Sequence, residues 1–252
     1  MFNESKGIEE MTNVYIVDGA RTAFTAFCGS FAAVDAVQLG TATAVEALKR
    51  SGVKPEQIDH VVYGGVIATG ANAAYLARHI GLYAGVPQEV PALTQNRLCG
   101  SGMQSVVTAA QQILLGEANA VLAGGAENMS QSPYSNFEQR FGGAKIGDLK
   151  FIDMLSATLT DQYTGNGMGM TAEKLAEQYS ISREEQDEFA LLSHARAAVA
   201  RDAGKFKEEI VPVTVKTRKG ELVIDTDEHI KDGGTMESLA KLRPAFKKDG
   251  TE

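Results

Sequence analysis

One segment constrains this chain more than any other, Glu89 to Val106, written EVPALTQNRLCGSGMQSV. Val90 to Leu93 reads as a short apolar strand. Gln95-Asn96-Arg97 makes a polar corner, and Cys99 follows with Gly100, Ser101 and Gly102 directly after it. From Met103 the apolar spacing turns helical through VVTAAQQILLG. A cysteine between a strand end and a helix start meets unpaired backbone N–H groups and the positive end of a helix dipole. Both favour a thiolate. The small neighbours leave room for a substrate, and their N–H groups can face a developing oxyanion. This is the setting a nucleophilic cysteine needs. The same spacing also suits a small buried hydrophobe, with the glycines serving close packing or a weak phosphate cradle.

The flanking sequence builds a parallel sheet around that segment. Val14 to Val17 reads as a buried first strand, Ala33 to Arg50 as a helix stopped at Ser51-Gly52, and Pro55 as the opening of a single helical turn. His60 to Gly64 is a second strand, Ala73 to His79 a short helix, and Ala118 to Ala123 a strand closing on Gly124-Gly125. Most of these strands lack a polar face, as expected when helices cover both sides of a mostly parallel sheet. After Asn128 the pattern changes. Met129 to Gln162 is mostly irregular. Gly165 to Thr171 leads into a helix over Ala172 to Gln178, and Ser182 with Glu185 forms a capping box for a helix reaching Asp202. Ile210 to Val215 and Leu222 to Ile224 read as a hairpin around Arg218-Lys219-Gly220. Met236 to Leu242 is one more patterned piece.

Composition excludes several function classes. The 252 residues carry a net charge of -8, which disfavours nucleic acid or an anionic membrane as the main partner. A local basic patch, such as Lys145 with Lys150, can still attract a phosphorylated ligand, and a solvated face is the alternative. The two cysteines, Cys28 and Cys99, form no repeated pair, so neither a metal site nor a disulfide framework is expected. Free thiols fit a reducing compartment, here the cytoplasm. Cys28 and Arg21 read as structural or surface residues. The polar start MFNESKGIEEM is no secretory signal, and Met11 reads as a natural start behind a short extension.

Several blocks taken together resemble the thiolase family. They are VDGARTAF at 17–24, NRLCGSGMQS at 96–105, AGGAENMSQSPY at 123–134, MGMTAE at 168–173, SREEQDEFALLSH at 182–194 and LAKLRPAFKKDGT at 239–251. The resemblance implies an α/β, thiolase-like layered αβα fold with a mostly parallel sheet, interrupted by an α+β loop domain. It divides the chain into an N-terminal thiolase half over 12–128 and a loop domain over 129–252. That loop domain is expected to be incomplete, and the C-terminal half to be absent. By the same resemblance Cys99 is the nucleophile that takes an acyl group from acyl-CoA. Its backbone N–H is one oxyanion donor. Met168 lies beside the reacting acyl group, Leu159 contacts the pantetheine, and Lys231 stands near the nucleotide end.

The implied substrates are coenzyme A thioesters, with no permanently bound cofactor and no metal. The implied assembly is a homodimer or homotetramer. The implied activity is acetyl-CoA acetyltransferase, with a broader 3-oxoacyl-CoA thiolase as the alternative. Gly167 stands where the biosynthetic subgroup has a histidine, and Met170 replaces a frequent threonine; GDLKFID at 147–153 matches that subgroup. None of His60, His79, His194 and His229 matches the family's general base, so the chain alone is expected to give little turnover. A non-catalytic CoA-binding module and a ketoacyl synthase-like condensing enzyme are the other readings, the latter disfavoured by the MGMTAE block.

Overall fold

The computed structural model describes residues 13–218 and 220–251. Met11 and the Lys219 of the expected hairpin turn lie outside the described residues. The chain divides into two compact units. Of the described residues, the first comprises 13–20, Ala36–Val66 and Asn72–Glu127; the second comprises Arg21–Asp35, Ile67–Ala71 and those from Asn128 on.

The first unit is a three-stranded parallel sheet with helices on both faces. Its elements run α1 (Ala36–Ser51), β1 (His60–Gly64), α2 (Leu76–Tyr83), β2 (Ala92–Gln95), α3 (Ser101–Leu114) and β3 (Val121–Gly125). Strand order is β2-β1-β3, both pairings are parallel, and Val62 stands opposite Leu93 and Ala123. Helices are obligatory between such strands, because a parallel crossover cannot be made by a tight turn. Side chains alternate across the sheet. Val61, Tyr63 and Leu122 point to one face and pack with Val37, Ala44 and Leu48 of α1 and Leu76, Ala77 and Ile80 of α2. The opposite face meets α3. There Ser105, fully buried, lies with its hydroxyl 2.6 Å from the Gly102 carbonyl and 2.7 Å from the Gly124 carbonyl.

The strand over 60–64 and the turn at Pro55–Gln57 form as expected, and the helix expected over 33–50 runs from Ala36 to Ser51. Two strands are displaced toward the C-terminus: β2 starts two residues beyond Val90, and β3 starts three beyond Ala118. One expectation is overturned. Val14 to Val17 makes no ladder, and Tyr15, Ile16 and Val17 are 67–82% exposed rather than buried. An apolar run becomes a strand only where a neighbouring strand accepts its N–H groups, and this one has none among the described residues.

The second unit contains β4 (Tyr134–Ser135), α4 (Gln139–Gly142), β5 (Ile152–Asp153), α5 (Met154–Leu159), β6 (Thr160–Asp161), β7 (Asn166–Gly167), α6 (Met168–Tyr179), α7 (Arg183–Asp202), β8 (Val213–Thr217), β9 (Gly220–Ile224) and α8 (Met236–Ala240). The stretch expected to be irregular thus carries two-residue ladders, β4 with β5 and β6 with β7, both antiparallel. The capping box of α7 forms as read: Ser182 Oγ accepts from Glu185 N, and the Glu185 carboxylate accepts from Ser182 N at 2.8 Å. The hairpin β8–β9 pairs Val213 with Ile224 through Thr217 with Gly220. Arg21 is more than a surface arginine. It bonds Glu209 and, through both terminal nitrogens, Asp227 at 2.8 and 3.0 Å, while Phe24 and Phe206 lie against its guanidinium.

Candidate active site

Cys99 is exposed and sits in the turn between β2 and α3. The turn is held residue by residue. Asn96 Oδ1 accepts from Leu98 N at 2.8 Å, an Asx turn that reverses the chain after β2. Ser101 Oγ accepts from Arg97 N at 2.8 Å and donates to the Leu98 carbonyl at 2.7 Å. Gly100 N donates to the Arg97 carbonyl at 3.1 Å, and Ser101 N to that of Leu98 at 2.9 Å. These bonds hold Leu98 in the left-handed region, at φ 49°. For a residue with a Cβ that conformation costs about 1–2 kcal/mol. The cost is met by the surrounding bonds, and the result is a thiol carried on a fixed turn.

The helix behind it begins at Ser101, which is 4% exposed. Among the described residues nothing accepts from the backbone N–H groups of Cys99, Gly102 and Met103. The last two are open donors of the first turn of a 14-residue helix, and Cys99 stands just before its N-cap, Gly100, at the same positive end. A Cβ built on Gly102 would have nothing within 4 Å, so the first turn of α3 is open on that side. The carboxyl edge of the sheet lies at the same place: Gly65 N bonds the Gln95 carbonyl, Ala126 N the Gly64 carbonyl, and Val66 N the Glu127 carboxylate at 2.8 Å. Open α/β sheets place their ligands beyond this edge.

Why α3 can begin there is a matter of glycines. A Cβ on Gly64 would lie 2.6 Å from the Ser101 carbonyl oxygen and 2.7 Å from the Gly102 nitrogen. One on Gly125 would come 3.2 Å from Gly102 Cα. Gly64 and Gly125 are register partners on neighbouring strands, and their bare backbone lets the helix start press onto the sheet. A polar chain also links the corner to the helix: Arg97 bonds Gln104, Gln104 bonds Thr108, and Thr108 Oγ1 bonds Gln95 at 3.0 Å.

Cys99 belongs to the first unit; Leu159, Met168 and Lys231 belong to the second. Leu159 ends α5 and Met168 opens α6, so the Thr160–Gly167 pair of the short β6–β7 ladder brings them to its two flanks. Both are about half exposed. The hairpin tip is tied by Asp161, whose carboxylate accepts from Tyr163 N, Thr164 Oγ1 and Thr164 N and is held below the usual carboxylate range by those bonds. Lys231 is exposed, and its backbone N–H donates to His194 Nδ1 at 3.2 Å. His79 stacks on Tyr75 at 5.3 Å, His229 Nε2 lies 3.3 Å from the Thr25 carbonyl, and the buried Nδ1 of His60 meets no hydrogen-bond partner among the described residues. Cys28, also exposed, has its backbone N–H bonded to Ser130 Oγ.

The cysteine's place before a helix start is legible in the sequence, whereas most of the groups that hold it there are not. Asn96 two residues before Leu98 was a legible Asx-turn signal. The Ser101 latch and the left-handed Leu98 had no signal in composition or periodicity.

Fold and site together define a class: an α/β protein that presents a cysteine thiol on the turn just before a helix, at the carboxyl edge of a parallel sheet. The family model described as "Thiolase, N-terminal domain" matches residues 14–252. The human mitochondrial 3-ketoacyl-CoA thiolase is 47% identical over 241 residues, covering 96% of this chain and 61% of that protein. Its crystal structure superposes with a TM-score of 0.90 over 94% of this chain and 60% of that one. The Bacillus anthracis acetyl-CoA acetyltransferase is similar with a TM-score of 0.91 at 43% identity, over 96% of this chain and 61% of that one. This chain therefore belongs to the thiolase family, and it spans about three-fifths of the length of the relatives it matches.

Proposed function

We propose that Cys99 is the acyl-accepting nucleophile of a thiolase. The single observation that carries this is an exposed thiol just before α3, near three backbone N–H groups with no acceptor among the described residues. In the step this geometry supports, Cys99 Sγ attacks the carbonyl carbon of an acyl-CoA. The new Sγ–C bond forms, the bond from carbon to the coenzyme sulfur breaks, and the Cys99 proton leaves with coenzyme A as its thiol. Charge gathers on the carbonyl oxygen on the way, where the Cys99 N–H can donate. One thioester replaces another, so the exchange is close to thermoneutral and reversible. Met168 and Leu159 serve as apolar contacts to the acyl and pantetheine parts, and Lys231 as a cation toward the nucleotide. Deprotonation of the second acyl-CoA is not assigned to a residue of this chain.

The reaction we favour is condensation of two acetyl-CoA to acetoacetyl-CoA, with thiolysis as its reverse. A broader 3-oxoacyl-CoA thiolase acting in fatty acid metabolism is the second reading. It is favoured by Gly167, which puts no side chain where the biosynthetic enzymes carry a histidine and serves here as the backbone N-cap of α6. A homodimer or homotetramer in the cytoplasm completes the proposal; the two free thiols support the compartment.

The test is mass mapping after incubation with acetyl-CoA. The expected product is a single acetyl thioester on the Cys99 peptide, removed by added coenzyme A and lost in Cys99→Ala. Acetylation spread equally over Cys28, or none at all, refutes the nucleophile. A chain that binds coenzyme A with no adduct would instead be the non-catalytic module.

A further inference from the structure

Lys231 stands in an acidic run, Asp225-Thr226-Asp227-Glu228-His229-Ile230-Lys231-Asp232. Four carboxylates around one ammonium would ordinarily cancel any attraction for a phosphate. The fold commits three of the four elsewhere. Asp227 bonds Arg21 through both oxygens and accepts from Phe24 N at 2.8 Å. Glu228 accepts from the Ala26 and Ser30 amides at 2.8 and 3.2 Å. Asp232, next to Lys231, is held by Arg201 in a two-pronged pair at 3.0 and 3.1 Å. Asp225 takes only the hydroxyl of Thr226. Lys231 itself is exposed with no carboxylate partner among the described residues. Its backbone is pinned by His194 Nδ1, which lies two helical turns before Arg201 on the same face of α7.

We infer that Arg201 is a positioning residue for the proposed coenzyme A site: by drawing the Asp232 carboxylate to itself it leaves Lys231 receptive to a phosphate. His194 and Arg201 together then grip the segment at consecutive residues, one by backbone and one by charge. The inference rests on the proposed reading of Lys231 as the nucleotide-end cation. Pairing neutralises a carboxylate that would otherwise sit within a side chain's length of the bound phosphate. One unit charge at about 7 Å in water changes affinity about threefold, and the change falls with added salt.

The experiment is calorimetric titration of the full chain with coenzyme A and, separately, with pantetheine, which lacks the phosphates. Arg201→Gln is expected to weaken coenzyme A about threefold at low salt while leaving pantetheine unchanged. Asp232→Asn placed in the same background restores the affinity, which a merely structural role would not do. Lys231→Ala weakens coenzyme A at least as much. If Lys231→Ala leaves coenzyme A unaffected, or the wild-type chain does not bind it, the reading of the site fails. If Lys231→Ala weakens binding but Arg201→Gln does not, or weakens pantetheine equally, or Asp232→Asn gives no rescue, the role of Arg201 fails and the reading of Lys231 stands.

Discussion

Gly64 and Gly102 lie within one contact of each other and should respond to the same substitution with opposite signs. A Cβ at Gly64 would be 2.6 and 2.7 Å from backbone atoms of Ser101 and Gly102, where no rotamer change can relieve it. Something rigid must move, either the end of β1 or the first turn of α3. Forcing one extra carbon into a packed place costs typically about 1–3 kcal/mol, and backbone neighbours put Gly64→Ala at the upper end. Gly102 is the second residue of α3, with open space where its Cβ would go. There alanine gains about 0.5–1 kcal/mol over glycine through helix propensity. The predicted gap between the two variants is therefore about 3.5–4 kcal/mol, roughly 7–16 °C in melting temperature for a domain of this size. Circular dichroism through a urea titration measures it, since the chain has no tryptophan. Because the clash falls on the turn that carries Cys99, Gly64→Ala should also slow acetylation of Cys99. Equal stabilities, or a larger loss in Gly102→Ala, would refute the claim that bare backbone lets α3 seat on the sheet.

Other perturbations follow the same logic. A Cβ on Gly169 would run into the Phe246 ring; Gly169→Ala should cost about 1–3 kcal/mol, and adding Phe246→Ala should return part of it in a double-mutant cycle. Burial alone would raise the Asp227 carboxyl, but the hydrogen bonds from Arg21 and Phe24 and the Arg21 charge outweigh it, so its pKa is lowered in the folded chain. A depressed carboxylate contributes stability above its unfolded pKa, about 4, and loses it as pH falls through the folded value. Asp227→Asn should thus flatten the acid limb of a stability–pH curve and cost about 1–3 kcal/mol at neutral pH. Ser182→Ala removes the α7 cap and should cost about 1 kcal/mol, read as a lower urea midpoint without a changed slope.

Much of the fold was legible because it rests on local signals. The Ser182–Glu185 box, the Pro55 turn and the apolar run His60–Gly64 each contain their own instructions, and all three appear where read. The displacement of β3 has a physical reason. Gly124-Gly125 looks like a terminator, yet it continues β3, because glycine is what the approach of α3 demands there. Val14 to Val17 has strand composition, but pairing belongs to two segments and cannot be read from one. The paired two-residue ladders within 134–167 are too short to leave any periodicity. At the site the cysteine was visible through its glycines, whereas the restraint on Leu98 depends on Ser101, a residue that reads as one more small neighbour.

That restraint has a consequence for how the site tolerates change. The turn of Cys99 is fixed by groups that are also structural: Ser101 is at once helix start, buried contact and latch, and Gly64 is at once strand end and seat of the helix. A substitution that moves the thiol should therefore also lower stability, so the two effects are coupled in the first unit. Around Lys231 the arrangement is different. Arg201 and Asp232 are a surface pair, with side chains 28% and 64% exposed, and such pairs add about 1 kcal/mol or less to stability. Affinity there can shift with almost no change in folding. Variation in nucleotide affinity within this framework is then expected to gather on the second kind of residue, whereas substitutions that displace the Cys99 turn are expected to lower acetylation of Cys99 and stability together.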